Sequence, residues 1–320
     1  MTDLSQAKKA SSLSALLILT GLCILGIVVF SSVGFLLAGF ITGLETGKIQ
    51  SLMVDFESTP NARIALLVLQ GTIALGGFVI LPSLVRFLQK QEFSGKIPVS
   101  RPSITMLIMI FSLAILMMPV NGWLSAINKS IHLPSFLSEV ENWAQAKETE
   151  IEKMTFFLVD FQSITELVVG FIVISLIAGF TEEFFFRKLI QPRMYGLTGN
   201  IHLAVWLTAF LFSAIHFQFF GLVPRMVLGA LFGYYFYWTG NIWLSVFGHS
   251  LNNGLTLVGL YLYKQNLSPI DVENPEQIPW YIGAVAAGVT WSLATMVKDE
   301  SDKIRKRNRN QAFVNQVIAD

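Results

Sequence analysis

Long uncharged, apolar runs separated by short charged or turn-forming segments dominate this chain. They extend from Ala10 to Leu44, Ile64 to Val85, Pro102 to Asn128, Leu167 to Thr181, Ile201 to Phe220, Met226 to Tyr263 and Ile278 to Val297. About 20 such residues cross a bilayer, so each run predicts at least one membrane span. The Met226–Tyr263 run is too long for one helix. Thr239, Gly240 and Asn241 supply a turn in its middle, which divides it into two spans joined by a tight hairpin. The fourth span starts at Leu167 and continues through the charged Glu182–Arg187 segment to about Gln191. The first run far exceeds the roughly 7 to 15 residues of a signal-peptide core, so it reads as an uncleaved span that is tilted or lies partly outside the hydrocarbon. The expected fold is all-α, a polytopic membrane bundle of eight transmembrane helices with a core of spans four to seven.

Composition agrees with this pattern. The 320 residues are 53% hydrophobic and 13% charged, with a mean hydropathy of +0.59, which is outside the range of soluble globular chains. The net charge of +1 gives no basis for polyanion binding and excludes nucleic acid as an expected partner. The single cysteine, Cys23, lies in an apolar run and supports neither a disulfide framework nor a thiolate metal site.

Basic residues favour cytoplasmic loops, and they place both termini on that side. Lys8 and Lys9, then Arg86, Lys90, Lys96 and Arg101, then Lys188 and Arg193, and finally the Lys303–Arg309 tail carry the bias, against acidic outer loops such as Glu139 to Glu152 and Asp271 to Glu276. Arg225, in a short outer loop, is the exception. Residues 133–160 alternate apolar and acidic positions; they read as an amphipathic helix on the outer interface or, more simply, as a solvated loop helix. The chain divides into a three-span region with that helix (1–160), a four-span core (161–265), a last span (266–297) and a basic cytoplasmic tail (298–320). Gly229 with Gly233, and Ala284 with Gly288, are spaced for close helix packing.

The candidate chemistry begins with two adjacent glutamates, Glu182 and Glu183, at the end of the uncharged run. A carboxylate at membrane depth costs roughly 2.5 kcal/mol or more on insertion scales, so an intramembrane pair marks a functional site by default. Glu183 and Arg187 are i and i+4 with the acid first, the favourable order for an ion pair. Glu182, rotated by about 100° from Glu183, is left for another partner and could serve as a general base on water. Of four histidines, His132 and His202 fall at loops or span entrances, whereas His216 and His249 sit within apolar spans. His249 and Asn253 share a face at i and i+4 and could present two donors to a common point, for an oxyanion or a metal; Asn252 points elsewhere. Phe212 shares a face with His216 and could pack beside its imidazole. Neither HExxH nor GxSxG occurs, and Ser213 and Ser250 read as backbone hydrogen-bonding groups. Depth is a difficulty: His216 lies about 22 Å along its span from Ile201, and Glu182 only about 13 Å from Gln191.

The sequence Glu182-Glu183-Phe-Phe-Phe-Arg187, then Phe212-Ser-Ala-Ile-His216, then His249-Ser-Leu-Asn-Asn253 resembles the EExxxR, FxxxH and HxxxN/D motifs of the CAAX prenyl endopeptidase and bacteriocin-processing family of intramembrane proteases. All three motifs occur in order, each in an expected span, over roughly Glu166 to Tyr263. The resemblance implies an endopeptidase acting on membrane-bound peptide or protein substrates. Glu182 and His216 would activate water, His249 and Asn253 would bind the oxyanion, and Glu183 with Arg187 and Phe212 would support them. As for cofactors, it implies either none or a divalent metal such as zinc held by Glu182, His216, His249 and Asn253. The compact layout points to a bacterial inner membrane and away from prenylated substrates. A proton-coupled transporter and a non-catalytic immunity or scaffold protein of the same fold are the alternatives; no repeat between halves favours the first, and intact motifs argue against the second.

Overall fold

The computed structural model describes residues 2–52, 55–84, 102–269 and 279–319, and the regular structure among them is helical throughout. The basic cluster Arg86 to Arg101 and the acidic segment Asp271 to Glu276 lie outside the described residues. Nine longer helices follow in chain order: α1 (Thr2–Thr42), α2 (Ala62–Ser83), α3 (Ile104–Lys129), α4 (Ser138–Val159), α5 (Ile164–Thr198), α6 (Ile201–Ala214), α7 (Leu222–Thr239), α8 (Ile242–Lys264) and α9 (Trp280–Ala319).

Helices occupy all eight segments where spans were expected, but five of them, in α1, α2, α3, α5 and α9, are long and apolar enough to cross a membrane by length and composition. The count of eight is therefore not established. At 1.5 Å per residue the 41 residues of α1 extend about 60 Å, twice a ~30 Å hydrocarbon layer, so part of this helix lies outside it. Apolar side chains project outward along α1 (Leu17, Val28, Leu36, Phe40) and α9 (Val285, Trp291), as a lipid-facing surface requires.

Local chemistry sets the helix ends that matter. At the start of α5, Ser163 accepts a hydrogen bond from the Glu166 amide, and the Glu166 carboxylate accepts from the amide of Gln162, so orphan donors are satisfied reciprocally. Arg63 of α2 adds a 2.6 Å ion pair to Glu166. Between α5 and α6, Gly199 takes φ +66°, a left-handed conformation that spares a Cβ, and Asn200 caps α6 at the amides of His202 and Leu203. Gly240 (φ +67°) and Asn241 repeat this arrangement between α7 and α8, forming the expected hairpin.

Two packing expectations divide. A Cβ on Gly229 would press into Phe212 at 2.9 Å and Ala209 at 3.3 Å, so this glycine lets α7 lie close on α6. Gly288, in contrast, faces open space, and the Ala284/Gly288 pair makes no close crossing there. Helix α4 is not simply a solvated helix either: Trp143 meets Phe219 edge-on at 5.7 Å, and Phe157 packs on Phe56 at 4.9 Å.

Candidate functional site

Helix α5 carries the two glutamates about midway along its length, between two stretches where i→i+5 bonding replaces the α pattern, Phe171–Ile177 and Phe184–Ile190. Such π turns disturb the backbone ladder and recur at functional sites. Glu183 and Arg187 form the ion pair expected from their spacing. Nε donates to Oε2 at 2.8 Å and Nη2 to Oε1 at 3.4 Å, and both side chains are 0% exposed.

Helix α8 completes this polar layer. His249 donates from Nδ1 to Glu183 Oε1 at 3.0 Å, and its Nε2 lies 3.8 Å from Glu182 Oε2. One imidazole therefore bonds Glu183 and faces Glu182 without a hydrogen bond. Its plane is fixed by stacking on Phe232, with centroids 5.0 Å apart and an interplanar angle of 16°. Glu182 Oε2 is buried and has no hydrogen-bond partner.

Asn253 and His249 make their side-chain bonds to different partners. Nδ2 of Asn253 donates to the carbonyl of Ile174 at 3.0 Å, and Asn252, expected to point elsewhere, donates to Asn253 Oδ1 at 3.4 Å. The reason lies in α5: Ile174 is inside the first π stretch, where displaced carbonyls take donors from the neighbouring helix. Ser175 and Ser250 bond reciprocally beside it, each hydroxyl donating to the other's carbonyl at 2.7 and 3.1 Å. A Cβ on Gly179 would collide with the Ser250 side chain, so this glycine permits the approach.

His216 follows the last turn of α6 and donates from Nδ1 to the Phe212 carbonyl at 2.8 Å, which leaves Nε2 as its outward atom. Phe212 is the common wall of the site. Its ring meets His216 edge-on at 5.3 Å and His249 at 5.7 Å, and the Arg187 guanidinium lies over it at 5.3 Å. His249 is thus the neighbour of Glu182 and shares the Phe212 ring with His216; no direct Glu182–His216 bond occurs among the described residues.

The expected depth difference is removed by the length of α5. This helix does not stop near Gln191 but continues to Thr198. Glu182 then lies about 24 Å from the turn and His216 about 22 Å along the return path, at matching levels. Gln191 is buried and donates to the Gly233 carbonyl at 3.1 Å. Pro192 is tolerated at the beginning of the segment that resumes α geometry.

Two groups in the site were not anticipated. Arg225 in the first turn of α7 donates from Nη2 to Gln218, has a buried Nη1 without a partner, and interacts electrostatically with Glu182, His216 and Glu148. Glu148 of α4 accepts a hydrogen bond from the Phe220 amide at 3.0 Å, closing over the His216–Gly221 loop. The signal for Arg225 was in the chain: it is the sole Lys, Arg, Asp or Glu between Ile201 and Tyr263. A cation in such a run carries the same energetic argument as the glutamates.

The donors named for a metal do not assemble as one. Asn253 is turned to the backbone, and no group of three or more His, Cys, Asp or Glu side chains with metal-binding geometry occurs among the described residues. No curated protein and no solved structure matches the chain. Residues 164–255, from the first turn of α5 into α8, do match a family model, and the helices that carry Glu182, Glu183, Arg187, His216, His249 and Asn253 are therefore similar to the Rce1-like family, type II CAAX prenyl endopeptidase, a family of CAAX-type intramembrane proteases.

Proposed function

We propose that this multi-pass membrane protein is an intramembrane endopeptidase in which Glu182 is the general base. The observation that carries the reading is the unequal treatment of the glutamates. Glu183 is saturated by Arg187 and His249, while Glu182 retains an unbonded oxygen beside the His249 imidazole. A saturated carboxylate orients its neighbours; an unspent one can take a proton from water.

In this reading Glu182 removes the proton of the attacking water, and the outward Nε2 of His216 accepts a second hydrogen bond from that water. His249, held in plane by Phe232 and anchored by Glu183, provides a place for the proton to reside next to Glu182 before it moves to the leaving amine. Arg187 fixes Glu183, and Phe212 holds both imidazoles and the guanidinium apart. Asn253 acts one step away by tying α8 to the π turn of α5. Substrates are peptide segments presented from the bilayer, without a requirement for prenylation. The reading also places both termini in the cytoplasm of a bacterial cell and divides the chain at about residues 160, 265 and 297.

The test is cleavage of a panel of membrane peptides by the purified protein in proteoliposomes. Glu182→Gln and His216→Ala are compared with His132→Ala, which alters an exposed loop histidine. A positioned base contributes about 10²- to 10⁴-fold, so both site variants should lose at least about a hundredfold while the control is unchanged. Wild-type rates in folded Glu182→Gln protein would refute the assignment.

A further inference from the structure

We propose that Arg225 is a catalytic residue of this site, donating from Nη1 to the oxygen of the carbonyl under attack. The inference rests on the endopeptidase reading above and assigns the electrophilic half of that mechanism.

Attack on a peptide carbonyl places negative charge on oxygen, and stabilising it requires a donor fixed in advance and not already spent. His249 spends Nδ1 on Glu183 and keeps Nε2 3.8 Å from Glu182, and Asn253 has given one of its two amide hydrogens to Ile174. Arg187 gives two nitrogens to Glu183, which neutralises its charge; its Nη1 is likewise buried without a partner, so charge and not a spare donor separates it from Arg225. Arg225 remains. No carboxylate is in ion-pair contact with it among the described residues, and its Nη1 is buried and unbonded.

The guanidinium is also held in place. Gln218 receives Nη2, and the group rests on Gly221, where a Cβ would stand 3.3 Å from Nη2 and 3.5 Å from Nη1. Asn128 fixes the loop beneath by donating to the Phe219 carbonyl at 2.8 Å and accepting from the Val223 amide at 3.2 Å. Arg225 therefore offers an oriented charge within electrostatic reach of both Glu182 and His216.

The step balances. The water O–H bond breaks as its oxygen bonds to the carbonyl carbon; the proton goes to Glu182, and the π pair moves to the oxygen facing Arg225. On collapse that pair returns, the C–N bond breaks, and the amine leaves with the proton.

The bland alternative is that Arg225 only balances the charge of Glu182. The two are separated by full pH profiles of Arg225→Gln and Arg225→Lys, measured on a peptide that wild type cleaves, together with inhibition by a peptide phosphonamidate as a mimic of the tetrahedral oxyanion. Arg225→Gln should lower the plateau kcat by about 10²- to 10³-fold with KM unchanged, weaken phosphonamidate binding by the same factor, and leave the acidic limb in place. Arg225→Lys keeps the charge but loses the fork, so it should fall between the two; it also serves as the test should the glutamine variant fail to fold. A shifted acidic limb with an intact plateau and intact inhibitor binding would overturn the proposal while leaving Glu182 as base. Absence of any Glu182-dependent cleavage would overturn both.

Discussion

Replacing Arg187 by methionine keeps the length and removes the charge, leaving Glu183 as a buried carboxylate without its cation. The cost can be worked from the structure. At the 2.8 Å Nε–Oε2 separation and an effective dielectric of about 20, Coulomb's law gives about 6 kcal/mol of attraction. The His249 donor at 3.0 Å remains and offsets about 2 kcal/mol, the usual worth of a hydrogen bond to a charged group. Arg187→Met should therefore destabilise by about 4 kcal/mol, within the range for a buried pair broken on one side. That is roughly a thousandfold in the unfolding equilibrium. Adding Glu183→Gln removes the stranded charge, so the double variant should be more stable than Arg187→Met alone, with a coupling of about 3 kcal/mol. Unfolding in mixed micelles of increasing dodecyl sulfate, followed by tryptophan fluorescence, measures all four corners of the cycle. A loss under about 1 kcal/mol for Arg187→Met, or additivity of the two substitutions, would refute the reasoning.

Three further outcomes are expected. Asn253→Leu leaves the Ile174 carbonyl without its donor, so it should cost about 1–3 kcal/mol in the same assay, and the amide exchange of the first π stretch should rise. Gly179→Ala forces α5 away from Ser250 and should cost about 1–3 kcal/mol by overpacking, whereas Gly288→Ala, in open space, should be neutral or stabilising by up to about 1 kcal/mol; equal effects would contradict the packing described. Glu148→Gln weakens the contact over the Phe220 amide, and it should increase proteolytic nicking between Phe217 and Gly221 without altering the Glu183–Arg187 layer.

Much of this fold is legible from hydropathy because a lipid-embedded helix declares itself by the absence of charge. The Thr239-Gly240-Asn241 turn is legible for a different reason, since a glycine followed by a capping asparagine leaves little freedom. The end of α5 is not. Gln191, Pro192 and Arg193 resemble a stop, yet the helix continues to Thr198 with the Gln191 side chain bonded to the Gly233 carbonyl. The i,i+4 ion pair could be read from spacing, since it is local. The direction of Asn253 could not, because it depends on a carbonyl displaced by a π turn in another helix. Arg225 was legible in principle, but counted as a charge in a loop it looked like an exception to topology rather than a member of the site.

The return helix α6 has a wider consequence. Its 14 residues extend about 21 Å, short of a ~30 Å hydrocarbon layer, and the chain leaves the helix after Ala214, just before His216. Backbone amides and carbonyls released at such a place must be met by polar side chains, which Asn128 and Glu148 supply at Phe219, Val223 and Phe220. A hydrolase within a bilayer faces a supply problem, because its co-substrate is the solvent the bilayer excludes. A helix that ends early, and the polar groups recruited to finish it, make a region where water is a better tenant than lipid, on the loop that runs from His216 to Arg225.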